Sequence, residues 1–477
     1  MIRKAASVRF LTYSSGVVLQ IGTVFLIVNL LDIYQFGVWG VANSLIYIFS
    51  TIGQLTYFQF IEKYFPKFDD IKKEMLFNKF IKTIFVITPF WLFLLLFLDY
   101  LSYFERFNAN NLIYFYLLIT ALTFVESCIN LFHAHFVAKQ KSPLLDLNEL
   151  ILSKLLRFII FYILLANNYS IYYLLLASLL IRSLFLLRLL SLENNDLINT
   201  IFKIFNSSIK EDNFQNFKYN FSAFLNSSLY VTFLNILFLI SVNFSLNITV
   251  AHFSLAVLII NNLRPIFDSL SSLLSPVISK NITAKDDSYY LQALTLFVNT
   301  FIVAIVLNIT IYLIESQYLL KYFLSDFDDG VYKIIFLAVF SSTIHSIYYS
   351  KYFEALFSDK EDKLIILTAG DTLFCIILYL ILNNLFLNNF LYIYILFELI
   401  LLIGVNYYYL RGRKTKKTLF NIAYSYILSM LFFFLILFDI HIGYFQFLIL
   451  LTLIPDTINL FNYSKLSDFE MKNKFKY

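Results

Sequence analysis

The sequence predicts an all-α, integral membrane protein with about 14 transmembrane helices. Its composition and its recurring apolar runs both indicate this fold class. Of its 477 residues, 60% are hydrophobic and only 14% are charged, and the mean hydropathy is +0.75. An ordinary soluble protein is about one quarter charged. Apolar runs of about 20 residues, the length that crosses a bilayer, recur from end to end. The connections leave no room for a separate soluble domain.

Fourteen apolar runs can be counted, and each is predicted to form one helix. These spans lie at about residues 10–31, 36–60, 83–101, 112–136, 148–166, 171–190, 221–245, 249–275, 289–314, 332–350, 364–383, 389–410, 419–438 and 443–462.

The distribution of Lys and Arg supports this count. With the N-terminus in the cytoplasm, 33 of the 36 Lys and Arg residues fall on the cytoplasmic side, and the outer side keeps Arg106, Lys321 and Lys333. Such an excess is typical of cytoplasmic loops, and one span more or fewer would destroy it. We therefore expect a multi-pass membrane protein with both termini in the cytoplasm.

The longest polar connection divides the chain into two parts. Residues 191–220 form a cytoplasmic linker between an N-lobe of six spans, residues 1–190, and a C-lobe of six spans, residues 221–410. Because span 7 starts on the same side as span 1, the lobes are expected to be parallel repeats about an axis along the membrane normal. Residues 411–477 hold two further helices and a cytoplasmic tail. This arrangement is typical of a transporter.

Motifs for ATP hydrolysis or zinc chemistry are missing from the sequence. It contains no G-x-x-x-x-G-K-[ST] and no H-E-x-x-H, and its two cysteines lie in apolar segments. The predicted outer loops are short, which argues against a membrane-embedded polymerase. We expect no enzyme activity, no metal, no nucleic-acid partner and no cofactor, although coupling to H⁺ or Na⁺ is an open alternative.

Polar residues at helical spacing mark one face of span 2 and one face of span 8. The span 2 stripe consists of Asn43, Tyr47, Ser50, Gln54 and Tyr57; the span 8 stripe consists of Asn261, Arg264, Asp268, Ser271 and Ser275. A polar stripe facing lipid is costly, so both faces should look into the bundle. We interpret them as the lining of a water-filled cavity. Shorter polar faces in span 4 (Glu126, His133) and span 10 (Ser341, His345) fit either a cavity or hydrogen bonds between helices.

Several charged side chains fall inside predicted spans. Arg264 lies about midway along its apolar segment, where it either binds an anion or pairs with Asp268 one turn away. Arg182 is a second candidate cation. Lys154 and Arg157 lie in the cytoplasmic half of span 5, where we interpret both as reaching the headgroups. The embedded acids either couple an ion or pair with these cations; they are Glu126, Asp371 and Glu398.

Two stretches resemble the polysaccharide transporters of the MOP flippase superfamily, the group that contains the Wzx-type O-antigen flippases. Residues 30–68 carry Asp32, Phe36, Gly37 and Trp39 in a short turn before span 2, followed by "EKYFPK" near its end. Residues 251–280 resemble the family's helix 8 and its closing Ser-Pro-x-Ile-Ser-basic segment. The chain departs from the family where members often carry an arginine near the end of helix 2.

The resemblance implies a V-shaped, MATE-like pair of six-helix lobes around a cavity lined largely by helices 1, 2, 7 and 8. It implies a flippase of the bacterial cytoplasmic membrane that moves undecaprenyl-diphosphate-linked oligosaccharide repeat units, of O-antigen or capsular type, from the cytoplasmic to the outer leaflet by alternating access. Membrane lipid and other polysaccharide assembly proteins are the expected partners. Candidate cavity residues are Arg264, Asp268, Asn261, Arg182, Asn43 and Gln54. Two alternatives remain: a MATE-like drug or organic-cation antiporter, and a polysaccharide polymerase.

Overall fold

A computed structural model describes most of the first twelve predicted spans. The described residues are 2–54, 61, 65, 68–101, 112–139, 142–193, 217–242, 249–264, 324, 330–357, 361–382 and 390–410. Spans 9, 13 and 14, Asp268 and the core of the linker lie outside them. The count of 14 spans and the domain boundaries therefore stay predictions.

The described elements are helices, with no strand among them, which confirms the all-α fold class. In chain order they are α1 (Ile2–Leu30), α2 (Ile33–Gly53), α3 (Asp70–Tyr100), α4 (Leu112–Ala138), α5 (142–166), α6 (Ile171–Glu193), α7 (Phe217–Val242), α8 (249–264), α9 (Gly330–Phe357), α10 (Glu361–Leu382) and α11 (Phe390–Leu410). We refer to α1–α6 as the N-half and to α7–α11 as the C-half.

Four of these helices are long and apolar enough to cross a membrane by length and composition alone. They contain the segments Ile33–Gly53, Ile71–Tyr100, Leu112–Ala138 and Ile171–Leu192. Shorter apolar helical stretches occur in α1, α7, α9, α10 and α11 within the described residues. The protein is therefore a multi-pass membrane protein.

The turn between α1 and α2 explains part of the sequence motif found there. Asp32 is the N-cap of α2, and its Oδ1 accepts a hydrogen bond of 2.8 Å from the backbone N–H of Gln35. Such a cap satisfies one of the orphan donors of the first helical turn. Phe36 and Trp39 follow in the first turns of α2 and are almost completely buried. The motif residues thus fix the start of α2.

Corresponding helices are in contact in the two halves. In the N-half, α4 packs against α6, α1 against α5 and α5 against α6; in the C-half, α9 packs against α11, α7 against α10 and α10 against α11. When the predicted span 9 is counted as the third helix of the C-half, the pairs are the same in both halves: fourth with sixth, first with fifth and fifth with sixth. Across the two halves, α2 packs against α7.

The hydrophobic core differs between the two ends of the bundle. One cluster joins both halves and takes from the N-half the residues near the expected outer end, such as Leu45, Leu118 and Leu174. A second cluster contains only N-half residues near the expected cytoplasmic end, such as Phe77, Phe132 and Phe185. Among the described residues, the halves therefore share one core at the outer end, whereas the N-half has a core of its own at the inner end.

A close approach of α2 and α8 contributes to this outer contact. Gly37 lies against Val250, and Gly40 lies against Ser254. The hydroxyl of Ser254 donates to the carbonyl of Val250 at 2.8 Å and lies 3.4 Å from the carbonyl oxygen of Gly37. A side chain at position 40 would overlap the side chain of Ser254, and its Cβ would lie 3.1 Å from Ser254 Cα. Glycine is needed here for space.

Gly40→Ala is therefore expected to destabilise the protein by about 1–3 kcal/mol, the usual cost of overpacking a tight contact. Denaturant unfolding of purified protein in detergent, followed by helical circular dichroism, measures this change. Adding Ser254→Gly should restore part of the loss, because it removes the side chain that the new methyl group would meet.

Gly370→Ala is the matched control, since a Cβ at that position in α10 meets nothing within 4 Å. It should leave stability unchanged or raise it slightly. Equal stabilities of the Gly40→Ala and Gly370→Ala variants would show that the α2–α8 approach is looser than described.

Candidate functional site

A cluster of charged side chains joins three helices of the N-half. Arg182 on α6 donates two hydrogen bonds to Glu126 on α4, from Nε to Oε1 at 2.6 Å and from Nη2 to Oε2 at 2.5 Å. Its Nη1 donates to Ser153 Oγ at 2.7 Å and lies 3.6 Å from Oε1 of Glu149. Two parallel hydrogen bonds to one carboxylate are the strong arrangement for arginine. The guanidinium is therefore fixed on both sides.

A break in the regular winding of α5 brings two of these partners together. Residues Glu149–Leu155 form a π-helical segment between the α-helical segments Ser142–Asn148 and Leu156–Ala166. Such segments are rare and are frequent at functional sites. Glu149 also contacts α4, because its Oε2 lies 3.1 Å from His133 Nε2. Sequence reasoning missed Glu149 and Ser153, because no local sequence pattern predicted the π-helical segment.

Arg157, on the same helix, has a different environment. Its guanidinium lies over the ring of Trp39, 5.7 Å from the centroid, and over the ring of Phe161 at 5.1 Å. Its Nε is buried without a hydrogen-bond partner, and no carboxylate among the described residues forms an ion pair with it. The residue as a whole is only partly buried. Instead of reaching the headgroups as expected, Arg157 packs between α5 and α2.

A second cluster lies in the core of the C-half. Arg264, the last described residue of α8, is 4% exposed, and its Nη2 donates to Oε1 of Glu398 on α11 at 2.6 Å. The Tyr394 hydroxyl donates to the same carboxylate oxygen, and the Tyr230 hydroxyl is hydrogen-bonded to Nδ1 of His345. The guanidinium of Arg264 lies 5.7 Å from the ring centroid of Tyr230 and 5.3 Å from that of Tyr394. Glu398 and two aromatic rings thus surround the charge of Arg264.

The structure assigns Arg264 a partner that the sequence did not single out. Helical spacing suggested Asp268, which lies outside the described residues, whereas Glu398 is 134 positions away in the chain. His345 Nδ1 is 3.8 Å from the same Glu398 oxygen. The polar face of the tenth span thus contributes to this cluster.

Asp371 on α10 is a buried acid whose described contact is to a neutral group. It is 5% exposed, and its Oδ1 accepts a bond of 3.5 Å from the thiol of Cys375. Its Oδ2 is buried without a hydrogen-bond partner. Among the described residues it forms no ion pair, in contrast to Glu126, Glu149 and Glu398.

The other predicted cavity residues fall on two polar faces. Asn43 lies on the partly exposed side of α2 with Tyr47 and Thr51, and its amide donates to the carbonyl of Trp39 at 2.7 Å. Asn261 is partly exposed on α8 and donates to Asn235 of α7 at 3.2 Å. Gln54 is buried at the C-cap of α2, so it marks the end of the helix. Their role in substrate binding stays a prediction.

Comparison with known proteins gives matches at the level of structure. No family model and no curated protein matches the sequence. A mutant MATE protein matches with a TM-score of 0.57 and 12% identity, covering 86% of this chain and 94% of that chain. The lipid II flippase MurJ in an inward closed conformation matches with a TM-score of 0.53 and 15% identity, covering 97% of this chain and 99% of that chain. An outward-facing multidrug-resistance MATE transporter of the MOP superfamily matches with a TM-score of 0.51 and 12% identity, covering 86% of this chain and 94% of that chain.

The chain has the fold of MATE transporters and MurJ. This likeness concerns the fold, and the superfamily and the Wzx-type group that the two sequence motifs suggested stay predictions. The structural neighbours are transporters and a flippase rather than enzymes.

Replacing one member of the Arg264–Glu398 pair should cost far more than replacing both. Arg264→Leu leaves a buried carboxylate uncompensated, and we expect a loss of about 3–5 kcal/mol in the free energy of unfolding. The double variant Arg264→Leu with Glu398→Leu should recover most of that loss. Denaturant unfolding in detergent of the two single variants and the double variant provides the full cycle. Additive losses would contradict the pairing.

Arg182→Lys tests the N-half cluster in a similar way. Lysine keeps the charge but cannot make two parallel bonds to Glu126 and a third to Ser153. We expect the free energy of unfolding to fall by about 1.5–3 kcal/mol, the range for hydrogen bonds to charged groups. Arg188→Lys, at an exposed arginine of the same helix whose described side-chain bond is a long one of 3.4 Å to Asn148, should change it little. Similar losses in both variants would contradict a geometric role for Arg182.

Proposed function

We propose that the protein is a flippase for a lipid-linked oligosaccharide, which moves the sugar and its diphosphate from the cytoplasmic to the outer leaflet of the cytoplasmic membrane by alternating access. The expected substrate class is an undecaprenyl-diphosphate-linked repeat unit of O-antigen or capsular type. A polar headgroup cannot cross hydrocarbon unaided, because unsatisfied polar groups there cost several kcal/mol. The protein supplies a polar path while the prenyl tail stays in lipid.

The state of the buried charges carries this proposal. Glu126, Glu149 and Glu398 are all engaged with arginine or histidine, whereas Arg157 has no described carboxylate partner. An organic cation would need free carboxylates in the path. A diphosphate needs free cations with hydrogen-bond donors. With the exception of Asp371, the described buried charges therefore favour an anionic headgroup.

The packing of the two halves supports an alternating-access mechanism. The halves share one core near the expected outer end, and the N-half has a separate core near the expected inner end. The partly exposed polar faces of α2 and α8 lie on the two helices that meet at Gly37, Gly40, Val250 and Ser254. Separation at this small-residue contact would open the same path to the outer side.

The extent of the structural match also favours the flippase. MurJ matches over 97% of this chain, whereas the MATE structures match over 86–90% of it. The substrate named for that protein is lipid II, a lipid-linked molecule. The substrate proposed for this chain, a lipid-linked oligosaccharide, is likewise a polar headgroup on a lipid carrier.

An antiporter of the MATE type is the second candidate, and Asp371 is the observation that favours it. This buried acid forms no ion pair among the described residues. In a flippase the same acid is the leading candidate for coupling to H⁺ or Na⁺, because Glu126 and Glu398 are engaged by arginines. The functions differ in what a strain without the gene accumulates.

The test uses a strain that lacks this gene. Lipid-linked oligosaccharides are extracted, their leaflet is determined by accessibility to an impermeant reagent, and the surface polysaccharide is profiled. Repeat units that accumulate singly on the cytoplasmic side, with loss of surface polymer, are expected. The wild-type gene and Arg188→Gln, which changes an exposed arginine, should both restore the polymer.

The other outcomes identify the alternatives. Unpolymerised units facing outward would show a polymerase. Normal polymer, combined with increased sensitivity to organic cations, would show the antiporter.

A further inference from the structure

We infer that Arg157 and Trp39 form a binding site for the diphosphate of the transported lipid, on the N-half side of the path. The inference rests on the proposed function and adds the residues that take the anion. Neither residue is among the six cavity residues named from the sequence.

The charge around Arg157 is the first reason. Arg157 is close enough to Arg182 and Glu126 for the charges of both to act on it. Both oxygens of Glu126 are already bound by Arg182. Among the described residues, Arg182 is paired with Glu126, whereas Arg157 makes no ion pair with a carboxylate. A cation that lacks an ion-pair partner gains more from an added anion than one that is already paired.

The donors of Arg157 are the second reason. A guanidinium carries five N–H donors in a fixed fork that matches phosphate oxygens. In Arg157 the Nε–H is buried and has no acceptor among the described residues. Buried donors nearly always have a partner, and an unpartnered one needs an explanation. An anion bound at Arg157 would provide the acceptor that this N–H needs.

Position and preorganisation are the third reason. The rings of Trp39 and Phe161 hold the guanidinium plane at centroid distances of 5.7 and 5.1 Å. The ring pair itself is in edge contact at 5.6 Å. Asn43, on the partly exposed face of α2, is bonded to the carbonyl of Trp39, so the polar face begins one turn of α2 from the tryptophan that contacts Arg157. The cation therefore lies beside the path and is held in place before a ligand arrives.

Arg264 is a weaker candidate for the same task. Its charge is neutralised by Glu398 at 2.6 Å, and it is 4% exposed. A diphosphate at Arg264 would have to displace the carboxylate from a buried pair. At Arg157 nothing described has to be displaced.

Tryptophan fluorescence offers a direct test, because Trp39 is in contact with the proposed site. The chain has two tryptophans, Trp39 and Trp91, so Trp91→Phe leaves Trp39 as the single reporter. Phenylalanine at position 91 keeps a ring against Phe49, which stacks on Trp91 at 4.7 Å. Detergent-purified Trp91→Phe protein is titrated with farnesyl diphosphate, inorganic pyrophosphate and phosphatidylglycerol.

Farnesyl diphosphate and pyrophosphate should change the Trp39 emission in a saturable way. Arg157→Gln in the same background should weaken this binding about tenfold or more, as expected for loss of charged hydrogen bonds. Arg188→Gln should bind like the parent. An equal response to phosphatidylglycerol at equal concentration would assign the site to a membrane lipid headgroup and overturn the diphosphate site.

A lysine variant keeps the test decisive if Arg157→Gln does not fold. Arg157→Lys keeps a point charge but not the flat fork over Trp39, and we expect binding weakened several-fold. Diphosphate binding by either folded variant with the affinity of the parent would refute the inference.

Transport separates this inference from the proposed function. If the wild-type gene restores cytoplasm-to-outside transfer and Arg157→Gln restores it equally well, the flippase stands and the site is wrong. If diphosphate binding depends on Arg157 while the deletion strain transfers its lipid-linked units normally, the site stands and the function is wrong.

Discussion

The exclusion of water from the hydrocarbon region is the constraint on which the rest of this structure depends. A charge there is tolerated when protein groups replace the lost hydration. The ion pairs Arg182–Glu126 and Arg264–Glu398 meet this need, and each joins helices of the same half. Each of these pairs therefore stabilises one half and makes no bond to the other half.

The contact between the halves has the opposite character. Gly37, Gly40, Val250 and Ser254 bring α2 and α8 close together through small and apolar groups. Neither of the two arginine–glutamate pairs has to be broken when the halves separate at this contact. Strong interactions within each half and weak ones between them are what a two-state rocking motion requires.

Sequence reasoning identified the charged residues of this arrangement better than it identified which of them pair. It selected Arg182, Arg264, Glu126 and Glu398 because each is costly within an apolar span. It could not pair Arg264 with Glu398, since spacing along one helix shows only partners on that helix. The contact depends instead on how α8 and α11 pack.

The misinterpretation of Arg157 has a related cause. Its position in the cytoplasmic half of span 5 is compatible with a side chain that reaches the headgroups, and sequence depth alone gives no other answer. The π-helical segment Glu149–Leu155 precedes it and changes the direction in which the following residues point, because each π turn holds more residues than an α turn. That segment left no recognisable mark in the sequence.

Under the proposed function, the balance of charge also determines how tightly the headgroup is held. A transport site must bind its ligand strongly enough to load and weakly enough to release. Arg157 beside Trp39, with Arg182 and Arg264 neutralised by Glu126 and Glu398, gives a site of intermediate strength. An inside-negative membrane potential then favours outward release by about 2.3 kcal/mol per negative charge for each 100 mV. The carboxylates that neutralise Arg182 and Arg264 thus have a second effect beyond stability, because they keep the path from trapping its substrate.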